Sequence, residues 1–180
     1  MIGEEGYRAL ERGDLITAFN EFSSAEKYAD TPVERARMMI NQGAILIAMG
    51  KYNLAIGKLT AAKTILNSVN SEGRLLAAAC LNISKAMILA DRIDRAEAEA
   101  DCAEHFLERD DPHLLYVKAL IKFHRNDVDG LLKINAESLA EPYRGLIKVL
   151  QLRANSDDRY RDVLQEVVPS AGLREALGLV

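Results

Sequence analysis

The sequence predicts an all-α fold, an α-α superhelix of about five helical hairpins closed by a short C-terminal helix. Three observations carry that expectation. The phrase GDLITAFNEFSSAEKYADTP from Gly13 returns in weaker form as GKYNLAIGKLTAAKTIL from Gly50 and DRIDRAEAEADCAEHFL from Asp91, so one helical face is written repeatedly. Turn signals at 13, 50, 91 and 126 recur after 37, 41 and 35 residues and alternate with helix starts. No strand-like alternation of any length competes with the helical period.

The elements follow in order. A first helix over 2–12 stops at Gly13-Asp14, and a second runs over 15–29. Thr31-Pro32-Val33-Glu34 opens a third over 33–49, because threonine can cap the glutamate N–H while proline at the first helical position needs no donor. Gly50-Lys51 turns the chain into 52–67, and Ser71-Glu72 opens 72–90. Asp91-Arg92 precedes 93–108, and Asp111-Pro112 repeats the cap-then-proline start for 112–125. Asn126-Asp127 precedes 128–140, Glu141-Pro142 opens 142–154, and weaker signals place helices at 157–167 and 171–178. The hairpins are then 2–29, 33–67, 72–108, 112–140 and 142–167, with a cap at 170–180. No low-complexity linker divides them, so 1–180 reads as one domain.

Composition bounds the function. Of 180 residues, 49% are hydrophobic and 28% charged, which is globular, whereas aromatics are only 6% and tryptophan is absent. A net charge of −4 disfavours nucleic acid and anionic membrane as partners. Cys80 and Cys102 lack metal-ligand or CxxC spacing and read as reduced helix residues. With no leader-like start and no apolar run approaching ~18 residues, a soluble cytoplasmic protein is expected.

The residues Gly6, Gly13, Asp14, Ala18, Phe22 and Ala25, then Gly43, Gly50, Tyr52, Ala55, Leu59 and Ala62, and more loosely Ser84, Ile93, Ala96, Ala100 and Ala103, form a pattern. That pattern resembles the tetratricopeptide repeat (TPR) family over about residues 2–140. The likeness is divergent: the large first-helix aromatic is missing, and the long periods are similar to kinesin-light-chain-like variants. From Pro112 onward only Ala119, Asn126, Asp127 and Leu131 keep the register.

The resemblance implies that the first helix of each pair lines an inner curve. There the row is Arg37, Ile40, Asn41 and Ala44, then Leu81, Asn82 and Lys85, then His113, Tyr116, Val117, Leu120 and Phe123. A mainly apolar concave groove follows, taking a peptide segment or amphipathic helix, with Arg37, Asn41, Asn82 and Lys85 setting polar register. Asn41 and Asn82 stand where peptide-gripping members place asparagine; each could equally bond a neighbouring repeat. The family's chaperone-tail clamp is kept only in part, because His113 and Val117 replace the cations of its third helix.

His113 and His124 lie eleven residues apart, about 16 Å along a helix and too far to share a metal. His105 falls on an outer helix. The cluster Glu104, Glu108, Asp110 and Asp111 reads as helix end and cap. No phosphate loop, nucleophile elbow or framed carboxylate pair is present, so catalysis, cofactor and metal are not expected. Two further readings stay open. One is a self-associating scaffold subunit, a homodimer held by the groove or by the apolar tail Leu173, Leu177, Leu179 and Val180. The other is an RNA-binding helical repeat, against which the near-absence of cations on the inner row argues.

Overall fold

In the computed structural model, residues 4–69, 73–157 and 159 are described. They form α1 (Glu4–Glu11), α2 (Leu15–Lys27), α3 (Pro32–Ala48), α4 (Tyr52–Ser68), α5 (Gly73–Leu89), α6 (Ile93–Glu104), α7 (Pro112–His124), α8 (Val128–Leu132) and α9 (Tyr143–Ala154). Strands are absent among these residues. The predicted helix 157–167, apart from Asp157 and Arg159, the predicted helix 171–178, and the tail with Leu173, Leu177, Leu179 and Val180 lie outside them. Among the described residues no helix is long and apolar enough to cross a membrane.

Among the described residues one helix-ending motif is used five times, four of them as hairpin turns. Gly13, Gly50, Asp91, Asn126 and Ser156 all take left-handed backbone, with φ of 74°, 71°, 59°, 58° and 56°. At each, the residue's own N–H reaches back three residues and the next N–H reaches back five, as in Gly50 N to Ile47 O at 3.0 Å and Lys51 N to Leu46 O at 2.8 Å. These paired bonds satisfy the last carbonyls of the outgoing helix and reverse the chain. Asp14 and Asp127 then cap the returning helices by accepting from Thr17 N and Gly130 N. Thr31 and Glu34 complete a reciprocal capping box at α3.

Helices pack on their sequence neighbours, and α3, α5, α7 and α9 also touch one another in turn. The outer helices bury a single stripe: Ala18, Phe22 and Ala25 on α2, Ala55, Leu59, Ala62 and Leu66 on α4, Ala96, Ala100 and Ala103 on α6. Close approach depends on small residues opposite that stripe. A Cβ on Gly6 would stand 2.8 Å from the Phe22 ring, and one on Gly43 only 2.4 Å from Leu59 Cγ. In the third hairpin Ser84 fills the same role, its Oγ donating to Ala96 O at 2.7 Å. Three apolar clusters follow one another along the stack, with Phe19 packed against both the first and second and Met87 against both the second and third.

Two elements end earlier than predicted. Helix α6 stops at Glu104, not 108: His105 Nδ1 lies 2.8 Å from Asp101 O, and Phe106 folds across Gly73 at the start of α5. The predicted 128–140 helix is reduced to the five-residue α8, and Gln151 Nε2 from α9 donates to Leu131 O and to Ile134 O just past its end.

Candidate functional site

The residues of the predicted inner row are mostly buried. Because α3, α5 and α7 touch directly, Ile40, Asn41, Ala44, Leu81, Asn82, Lys85, Tyr116, Val117 and Leu120 are all buried. Phe123 and His113 are half-buried, and Arg37 alone of the predicted row is exposed. Much of the hydrocarbon expected to line a concave groove is thus in contact between successive inner helices. Asn41 Nδ2 donates to Tyr7 Oη of the preceding hairpin at 2.7 Å.

Polar side chains gather where α7 meets α5 and α9. Asn82 is fully buried, and neither atom of its amide has a hydrogen-bond partner among the described residues. Lys85, 3% exposed, holds its Nζ 5.4 Å from the centre of the Tyr116 ring. Burial pushes the Lys85 ammonium down to about 7 and the Tyr116 phenol up to about 12. His113, its Nε2 shut off from solvent, is driven down to about 3 by burial and then by the Lys85 charge. The Tyr143 ring at the start of α9 lies 5.9 Å from His113 and 6.1 Å from Tyr116. Above pH 7 this group is a neutral, donor-rich interior, and a buried amide left unbonded costs about 1–3 kcal/mol.

A second polar network braces the first two hairpins. Buried Gln42 donates to Phe22 O and to Glu26 Oε2, and Lys58 reaches the same carboxylate at 3.0 Å. Burial opposes the Glu26 charge, but the bonds from Gln42 and Lys58 outweigh it and hold the carboxyl below its usual range.

The open apolar surface is elsewhere. Between the turns of the first two hairpins lies a cavity of about 850 Å³, lined by Leu15, Ile16 and Phe19 of α2, Leu46 of α3, Met49 at the C-cap of α3 and Leu54 of α4, with Asp14, Asn20 and Lys51 also lining it. The left-handed turn at Gly13 lies on its lining, and the one at Gly50 immediately precedes Lys51. Ile16 is 70% exposed and Leu54 62%. Sequence reasoning missed this place, although a signal was available: Ile16 and Leu54 are large and apolar yet fall off the Ala-Phe-Ala and Ala-Leu-Ala stripes that face the core. Such residues have no intrachain reason to be hydrophobic.

In comparisons with known proteins, the chain matches no family model, no curated protein and no solved structure.

Proposed function

We propose that this chain is a non-catalytic protein-interaction module of tetratricopeptide type that seats a peptide segment or amphipathic helix in the cavity between its first two hairpins. One observation carries the reading: about 850 Å³ of concave apolar surface is flanked by Ile16 and Leu54, both more than half exposed. A ligand covering them removes hydrocarbon from water on both sides, which is how interfaces of this kind gain most of their affinity. Lys51 and Asp14, one of each sign at the edge, set the orientation of the incoming segment. The seat proposed from sequence, the inner row, has only Arg37 exposed to offer. A cytoplasmic setting belongs to this reading, supported by two free cysteines.

A photo-crosslinking residue at position 54 identifies the partner, with position 37 as the comparison. Against that purified partner, Ile16→Glu and Leu54→Glu are expected to weaken binding by about 2 kcal/mol or more, some 30-fold. Arg37→Glu should leave affinity within a few-fold. Wild-type affinity in both cavity variants removes the cavity from the mechanism. A self-associating scaffold is distinguished in the same series, since light scattering then shows a dimer that Leu54→Glu dissolves.

A further inference from the structure

Cys80 and Cys102 are 22 residues apart, a spacing that carries no ligand signature, yet folding sets their sulfurs 2.8 Å from each other across the α5–α6 hairpin. Glu99 stands one helical turn before Cys102, so both side chains leave α6 on the same face. The two sulfurs and a Glu99 carboxylate oxygen all lie within 4.8 Å of one another. From α4, Lys63 Nζ donates to Glu99 Oε2 at 2.7 Å.

We infer that Cys80, Cys102 and Glu99 form a binding site for a thiophilic divalent cation of the zinc class, with solvent as the fourth ligand and Lys63 as the counter-charge. Two sulfurs and one oxygen are a donor set that zinc favours over hard cations. Tetrahedral Zn–S bonds of ~2.3 Å place sulfurs about 3.8 Å apart, so the pair opens by about 1 Å. Cys102 is only half-buried and supplies that movement, while Cys80 on α5 stays fixed in the core. Entry is from the same side, because the Glu99 and Lys63 side chains are 22% and 23% exposed.

Charge balance agrees. On binding, each thiol loses its proton to solvent, and two thiolates with one carboxylate leave a single negative charge on the dication's complex. The Lys63 ammonium neutralises it from the second shell while orienting Glu99, an arrangement that metal sites use to fix their carboxylates. The consequence is a metal staple between α5 and α6, reached without any motif in the linear sequence.

The test uses the full chain under a metal-free reductant. Cobalt(II) is titrated as a spectroscopic stand-in, followed by zinc in competition with a chromophoric chelator. One equivalent per chain is expected, with thiolate-to-cobalt charge-transfer absorption and the intense visible bands of a tetrahedral ion. Cys102→Ser, at a half-buried position that tolerates the change, should abolish the charge-transfer band. Lys63→Met should weaken zinc about 10- to 100-fold, and Glu99→Gln at least as much. Zinc should raise the melting temperature of the wild type and not that of Cys102→Ser. Absence of the charge-transfer band in the folded wild type, or zinc affinity unchanged in Cys102→Ser, overturns the assignment.

Discussion

Two glycine-to-alanine substitutions in adjacent helices should move stability in opposite directions. At Gly43 on α3, the added methyl would stand 2.4 Å from Leu59 Cγ and 2.5 Å from Leu59 Cδ2. Leu59 is wholly buried in the stripe of α4, so it can retreat only by displacing other core atoms. Overpacking of this kind costs about 1–3 kcal/mol. Replacing a mid-helix glycine returns up to about 1 kcal/mol of helix propensity, leaving Gly43→Ala destabilised by about 1 kcal/mol and at most about 2. Gly57 on α4 is exposed with nothing within 4 Å of its added Cβ, so Gly57→Ala collects the propensity gain alone. The same chemical change should therefore differ by about 2 kcal/mol between the two sites. Urea unfolding followed by circular dichroism reads both from the midpoint at constant slope. A cycle with Leu59→Ala sharpens the test: that variant alone should cost about 2–5 kcal/mol, and the double variant should be more stable than the sum of its parts. A Gly43→Ala protein as stable as wild type, or additive with Leu59→Ala, refutes the close crossing of α3 and α4.

Lys85 makes stability pH-dependent: its folded value is lowered to about 7 against an ordinary 10.5, so between these limits the unfolded chain binds more protons and stability rises with pH. Lys85→Met should flatten the rise between about pH 7 and 8.5, where it approaches 1.4 kcal/mol per pH unit, and thermal melts of both proteins across that window decide it. Cys80 and Tyr116, whose values are raised by burial, act with the opposite sign at higher pH and end the rise there. Thr31→Ala removes the Oγ1 that accepts from Glu34 N at 3.1 Å and should cost about 1 kcal/mol in thermal or urea unfolding. Asp91 holds left-handed backbone at φ 59°, a conformation that glycine takes without strain, so Asp91→Gly should raise the melting temperature; a fall would show that the Asp91 side chain contributes more than its backbone strain costs.

The hairpin grammar was legible because it is local. Gly13, Gly50, Asp91 and Asn126 turn the chain where small or polar residues tolerate positive φ, and Thr31 with Glu34 caps where the spacing said it would. What failed was set by distant groups. Helix α8 stops early in a stretch whose carbonyls are claimed by Gln151 from α9, and α6 gives way to Phe106 lying over Gly73. The burial of the inner row was not legible for another reason: periodicity shows that a face is apolar but not whether water or the next-but-one helix covers it. The remedy was present in MMINQGAILIA and LLAAACLNISKAMIL, runs hydrophobic nearly all round, which marks a helix enclosed on every side. The approach of Cys80 to Cys102 depends on the register of two antiparallel helices and has no counterpart in linear spacing.

Phe19 belongs to two neighbouring apolar clusters and also lines the cavity between the first two hairpins. In a linear array, cooperativity resides in such junctions: when the coupling between adjacent units exceeds their individual instability, the stack melts as one body, and when it falls below, the units fray from an end. A side chain that is at once rivet and pocket wall ties occupancy to that balance. Whatever settles against Phe19 clamps the first hairpin to the second, so hydrogen exchange in α1 and α2 should slow on binding while the distant α7 is untouched. On the proposed binding mode, a ligand in this cavity is felt as resistance to unzipping of the first hairpin from the second.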